Sequence, residues 1–179
     1  MCFDLDGVLC EDPTDEQNDD GEKYIDFVLN APLKVKPTFE IGYIVTSRLE
    51  KYRDITEQWL KNNGIRYKEL IMMQYKTKEE RIKSGAHGKF KGEKYKSLSD
   101  TNLFIESNLS QAEEIASISG KTVYCTENGM VFKDSTLQHY YETIRFRDDK
   151  QSVKQRIAKV LPKRLKKGLK KIARKFKKA

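Results

Sequence analysis

The sequence predicts an α/β domain of three layers, a mainly parallel sheet between helices, followed by a basic amphipathic C-terminal helix. Three observations predict it. Short apolar runs alternate with segments of helical periodicity over residues 1–132, the order of βα units that build a parallel sheet covered on both faces. Three of those runs end in acids or hydroxyls: Phe3 leads to Asp4 and Asp6, Tyr43-Ile44-Val45 to Thr46 and Ser47, and Leu103-Phe104-Ile105 to Glu106. Charge then divides the chain, because residues 150–179 hold 14 Lys or Arg and no acid, which leaves 21 bases against 27 acids in residues 1–149. The net charge of +8 therefore averages an acidic domain and a basic tail. The expected division is an α/β domain over 1–132, a linker over 133–149 and the tail over 150–179.

The elements follow in order. Only Met1 and Cys2 precede Phe3, so the first strand is short, and the abrupt start suits a piece of a longer protein. On a strand, residues i and i+2 share a face, so Asp4 and Asp6 are expected to point at one ligand. Residues 10–21 are polar and acidic, the composition of a mobile loop that either lids a site beginning six residues earlier or is a solvated surface loop, the two weighing equally. Glu22 to Ala31 has helical spacing and stops at Pro32. Ile41 to Thr46 is a β-branched and aromatic strand, and Lys51 to Asn63 places Tyr52, Ile55, Trp59 and Leu60 on one helical face before Gly64 ends it. Leu70 to Met73 is a further strand. Residues 76–88 are expected to be irregular, with His87 in a surface loop, since no second histidine stands at ligand spacing. Lys89 to Lys96 reads as a short helix that aims some lysines inward. Leu103 to Glu106 is a strand, Ser110 to Ser119 a helix ended by Gly120, and Thr122 to Cys125 a strand.

At 179 residues the chain suffices for one domain with a real core. Cys2, Cys10 and Cys125 have no CxxC spacing, which fits a reducing cytoplasm and small buried hydrophobes rather than a disulfide framework. No apolar run approaches the roughly 18 residues of a membrane span, and no signal peptide opens the chain.

In open parallel sheets the site lies beyond the carboxyl ends of the strands, where Asp4, Asp6, Thr46 and Glu106 would gather. These residue types describe phosphoryl transfer. Asp4 and Glu106 suit Mg²⁺, a hard cation that takes one or two carboxylates, waters and a phosphate oxygen. A threonine hydroxyl, backbone N–H groups and a lysine neutralise phosphate oxygens. An aspartate serves as nucleophile through an acyl phosphate, and a second acid protonates the leaving oxygen and then activates water.

Asp4-Leu5-Asp6-Gly7-Val8-Leu9 resembles the first motif, DxDGxx, of the haloacid dehalogenase-like (HAD) hydrolase superfamily, and the later pieces come in that family's order. Thr46 is similar to its second motif, a lysine near residue 91 to its third and Glu106 to its fourth, so the resemblance covers residues 1 to about 132. It implies a Rossmann-like fold and a Mg²⁺-dependent phosphatase acting through an aspartyl-phosphate. Asp4 would be the nucleophile and a metal ligand. Asp6 would be the general acid/base and, through its backbone carbonyl, a ligand. Glu106 would hold Mg²⁺, and Thr46, Ser47 and a lysine would bind phosphate. Lys91 is preferred over Lys89 and Lys94. Asp6 and Thr46 lie 40 positions apart and Thr46 and Lys91 45, gaps that leave room for no large cap, so a capless or small-cap protein with an open site is expected. Open sites of this kind suit a large substrate or one supplied by a partner.

More narrowly, Phe104 to Ala112 and Glu50-Lys51-Tyr52-Arg53 resemble a bacterial subgroup in which the HAD-like part often follows a phosphoribosyltransferase domain in surface-polysaccharide gene neighbourhoods. One departure stands out. Where the family commonly carries a second acid, Ser107, Asn108, Ser110 and Gln111 follow Glu106, which weakens the metal site or leaves a water to fill it. The rival expectation is a non-catalytic HAD-like binding or assembly module whose working part is the tail.

In that tail Val153, Ile157, Val160, Leu161, Leu165, Leu169, Ile172 and Phe176 recur at spacings of three and four among Lys and Arg, interrupted by Pro162 and loosened by Gly168. An aliphatic stripe opposite a basic face fits an anionic membrane surface, which would make the protein peripheral at the inner face of the membrane. Nucleic acid ranks behind it because stacking aromatics are nearly absent. Docking of the stripe on the domain itself ranks with nucleic acid. The sequence leaves oligomeric state open.

Overall fold

In the computed structural model, which describes residues 1–133, each apolar run identified above becomes a strand, and one further strand joins them. β1 is Cys2–Phe3, β2 Ile41–Leu49, β3 Tyr67–Met73, β4 Leu103–Glu106, β5 Thr122–Cys125 and β6 Met130–Phe132. They form one sheet in the order β3-β2-β1-β4-β5-β6. All neighbours pair parallel except β5 and β6. The chain runs outward from β1 through β2 to β3 and then returns to the other side of β1 for β4. That reversal creates a crevice at the carboxyl ends of β1 and β4, the place where ligands bind in such sheets.

The helices are α1 (Glu22–Asn30), α2 (Arg53–Asn62), α3 (Lys78–Ser84), α4 (His87–Ser97) and α5 (Leu109–Ser119). Successive strand residues face opposite ways, and β2 shows the result: Ile44 joins one core and Val45 the other. The first core packs Tyr24, Phe27 and Val28 of α1 and Trp59 and Leu60 of α2 on the sheet. The second packs Tyr95 of α4 and Ala112, Ile115 and Ala116 of α5 against Phe104 and Val123. The architecture is a Rossmann-like α/β fold. Trp59 ties the first layer together, its indole N–H donating to the Ala31 carbonyl at 2.9 Å. Cys2, Cys10 and Cys125 are free and buried, and burial raises the Cys2 and Cys125 thiols to about 11.

Three expectations are corrected. Residues 78–84 are helical, with the Thr77 hydroxyl accepting from the Glu80 N–H at the N-terminus and Gly85 left-handed at the end. The segment looked irregular because six charged or polar residues and a single apolar one, Ile82, make no stripe. His87 is not in a surface loop: it opens α4 and is half-buried. β6 was missed because three residues after a turn are too short for a periodic signal. Residues 133–149 as a linker and the tail over 150–179 lie outside the described residues, apart from Lys133. Among the described residues no helix is long and apolar enough to cross a membrane.

Candidate active site

β1 ends at Phe3, yet the Asp4 N–H still donates to the Ile105 carbonyl at 2.9 Å, which holds Asp4 beside β4. The chain then leaves strand geometry. The Leu5 carbonyl accepts from the N–H groups of Leu9 at 2.9 Å and Cys10 at 3.2 Å, so residues 5–10 close a tight turn on buried Leu5, Val8 and Leu9. Gly7 sits in this turn at φ 74, where a Cβ would come within 2.3 Å of Ser107 Oγ. Only glycine combines that dihedral with that approach.

The turn separates the two acids that strand alternation placed together. Both line one cavity of about 560 Å³, but they face different cations. Asp4 Oδ2 accepts from Lys91 Nζ at 2.5 Å, and the same ammonium reaches Glu106 Oε2 at 2.8 Å and Gln111 Oε1 at 2.9 Å. Asp6 is instead held by Arg48, whose Nη2 lies 2.6 Å and Nε 3.2 Å from Oδ1 and whose Nε lies 3.1 Å from Oδ2. Arg48 is wholly buried and also lies 5.9 Å from the centre of the Phe27 ring.

Each group's titration follows from these partners. Burial and the facing Glu106 carboxylate push Asp4 well above the ordinary carboxylate range, against the pull of Lys91. Burial also pushes Asp6 upward, but the charge and hydrogen bonds of Arg48 outweigh it and hold Asp6 below its usual value. Burial works against a charged Lys91, yet two carboxylates keep it protonated and raise it. Asp12, beside the Gly7 turn, is raised by burial and then by Asp6 and Glu106. The strand-end region thus carries more carboxylate than neighbouring cation.

Of the three lysines weighed from sequence, Lys91 is the one at Asp4, 2% exposed, while Lys89 pairs with Glu93 at the surface and Lys94 lies near the Phe90 ring. Thr46 lines the cavity and is buried, its hydroxyl accepting from the Arg48 N–H at 3.2 Å. Ser47 lines it too, and its Oγ has no partner among the described residues. Glu106 Oε1 accepts from the N–H groups of Ser107 at 2.9 Å and Asn108 at 3.0 Å, which fixes the carboxylate against β4. The acidic loop contributes Asp12, Pro13 and Asn18 to the cavity wall. It is anchored where Asp20 accepts from the Tyr52 hydroxyl at 2.7 Å and the Lys78 N–H at 3.0 Å.

Sequence reading missed Arg48 and Arg81 and set His87 in a surface loop, whereas all but Arg48 line the cavity. Arg48 follows Thr46-Ser47 and had a signal, a lone arginine closing an apolar strand. Arg81 and His87 had none, because both lie in the polar stretch without periodicity.

Among the described residues no three His, Cys, Asp or Glu side chains gather as a ligand set. The donors present nonetheless suit Mg²⁺, which keeps several waters and takes few protein carboxylates. Asp4 and Glu106 are hard oxygen donors that converge within 2.8 Å of a single atom, Lys91 Nζ. The Asp6 carbonyl is turned to the same loop, accepting from Ser107 Oγ at 3.4 Å. A dication held there would offset the burial and the Glu106 repulsion that raise Asp4. Comparison with protein-family models, with curated proteins and with solved structures gives no match.

Proposed function

We propose that the protein is a HAD-like, Mg²⁺-dependent phosphatase in which Asp4 forms an aspartyl-phosphate, working in the cytoplasm on a phosphorylated substrate. The observation that carries this reading is the Asp4–Lys91–Glu106 cluster at the β1/β4 crevice, an acid held beside a buried ammonium and a second carboxylate. Asp4, Glu106 and the Asp6 carbonyl would hold Mg²⁺, which would neutralise charge on the phosphoryl oxygens. Lys91 and the Thr46 hydroxyl bind the remaining oxygens. Asp4 Oδ attacks phosphorus and displaces the leaving oxygen, and water later cleaves the acyl phosphate.

Asp6 gives the leaving oxygen its proton and then takes one from the attacking water. In the observed arrangement Arg48 keeps Asp6 ionised, so the acid step requires its carboxylate to turn from Arg48 towards the substrate. The same ion pair favours a second reading, a non-catalytic HAD-like module in which Asp6 serves the fold.

Hydrolysis of an aryl phosphate with Mg²⁺, compared between the parent and Asp4→Asn, separates the two. The phosphatase reading expects a loss of at least a thousandfold. Equal rates would remove Asp4 from the chemistry, and no turnover across a broad panel of phosphate esters, with no rise in Tm on adding Mg²⁺, would support the module.

A further inference from the structure

The cavity wall beside Ser47 carries a cation with no ion-pair partner among the described residues. Arg81 of α3 is 9% exposed, and its Nη1 donates to the Ser47 carbonyl at 2.8 Å. Its Nε has no partner among the described residues, and neither has Ser47 Oγ beside it. Both residues line the cavity. No carboxylate among the described residues lies within 4 Å of Arg81, whereas Arg48 pairs with Asp6, and Arg53 with Glu50 and Glu57. A guanidinium taken out of water without a carboxylate, one donor unused, is costly unless an anion meets it.

Its position separates it from the phosphoryl group to be transferred. Asp4 and Glu106 stand at the ends of β1 and β4, on one side of β2, while α3 follows β3 on the other side. Adjacent strands lie about 4.8 Å apart, so Arg81 faces the portion of a substrate that extends from the reacting phosphorus past Thr46. A cavity of about 560 Å³ has room for a metabolite-sized molecule.

We propose that Arg81 and Ser47 form a second anion-binding subsite, so that the substrate is a small phosphate ester bearing a further anionic group, a carboxylate or a second phosphate, on its leaving portion. Arginine suits either, since its planar donors match both geometries. His87, at the start of α4 on the same cavity, borders the subsite. Burial and then the charges of Arg81 and Lys91 lower its pKa. The inference rests on the phosphatase reading for the first phosphate but not for the second anion.

The test uses matched pairs on the full-length chain with Mg²⁺: glycerol 3-phosphate against 3-phosphoglycerate, and fructose 6-phosphate against fructose 1,6-bisphosphate. In kcat/KM the parent should prefer the more anionic member of one pair at least tenfold, and which pair does so tells carboxylate from phosphate. Arg81→Gln should cut that preference at least fivefold, a threshold set below the roughly tenfold or more that a hydrogen bond to a charged group is worth. Arg81→Lys, which keeps the charge without the fork, should restore part of it. If Arg81→Gln does not fold, Arg81→Lys and Ser47→Ala decide on the same ratio, each expected to lower it. A smaller preference in the parent, or one these variants leave unchanged, overturns the subsite.

Calorimetric binding of the same four compounds to Asp4→Asn protein keeps the two readings apart. If nothing is hydrolysed but tighter binding of the more anionic member depends on Arg81, the phosphatase reading falls and the subsite stands. Turnover without any dependence on Arg81 leaves the phosphatase and removes the subsite. Equal binding within both pairs removes it as well.

Discussion

Asp6 and Arg48 set the clearest chemical constraint at the scale of single residues. An acid that must donate a proton is held ionised by a buried guanidinium. Removing that cation raises the Asp6 pKa, so its protonated form persists to higher pH. In Arg48→Gln the limb of the kcat/KM profile that depends on protonated Asp6 should therefore move to higher pH with an alkyl phosphate, whose leaving group needs the proton. A limb that stays in place would show that Asp6 is not the acid.

Lys91 makes a different prediction. It is the one ammonium between two buried carboxylates, and breaking such a cluster from one side leaves charge uncompensated at a cost of about 3–5 kcal/mol. Lys91→Ala should lose about that much in urea unfolding without Mg²⁺, and adding Glu106→Gln should recover a large part. A Lys91→Ala protein as stable as the parent would mean that the carboxylates already share a proton.

At the scale of elements, the α4–α5 contact positions Lys91. Gly92 faces α5 so closely that a Cβ would lie 2.9 Å from Ile118 Cβ and 3.3 Å from the Ile115 Cα, and neither can yield easily. Gly88, one turn earlier, would meet the exposed Glu114 carboxylate, which can swing away, and the Glu114 Cβ at 3.1 Å, which cannot. Gly92→Ala is therefore expected to cost about 1–3 kcal/mol by overpacking and to lower turnover by displacing Lys91. Gly88→Ala should cost less than Gly92→Ala, because a gain in helix propensity of about 1 kcal/mol offsets its milder crowding. Thermal unfolding and aryl phosphate kinetics on the two variants check both halves.

The acidic loop is held to α3 and to the turn before α2 through Asp20. Burial opposes its ionisation, but the Tyr52 hydroxyl, the Lys78 N–H and Lys51 lower its pKa below the ordinary value. A carboxyl depressed on folding stabilises above its unfolded value of about 3.9, and the contribution disappears as pH falls through the lower, folded value. Asn tolerates the left-handed backbone found here, φ 61. Asp20→Asn should thus cost about 1–2 kcal/mol at pH 6, with the gap to the parent closing as acid is added. A gap independent of pH would assign the cost to something other than the charge.

At the scale of the whole chain, the charge division predicts a behaviour separate from the active site. Removing residues 150–179 takes away 14 basic residues and leaves a net of six negative charges. Co-sedimentation with vesicles containing anionic lipid should be lost on truncation and weakened by salt, while zwitterionic vesicles should bind neither form. Equal sedimentation with and without anionic lipid would turn attention to nucleic acid.

The sequence by itself determined the layered α/β fold, because hydrophobic patterning is written locally: a continuous β-branched and aromatic run in β2, period 3.6 in α2 and α5. It also marked Asp4, Thr46 and Glu106, since acids and hydroxyls at the ends of apolar runs have few reasons to be there other than chemistry. Tertiary structure decided the partners. Which lysine reaches Asp4 depended on the rotation of α4 against α5, and 87 positions of chain separate the two residues. That Asp6 faces Arg48 depended on the Gly7 turn, which breaks the alternation that strand geometry predicts. Arg81 and its unused donor were invisible because a seven-residue polar helix has no periodic signature, and burial of a charge is a property of what surrounds it rather than of the residue.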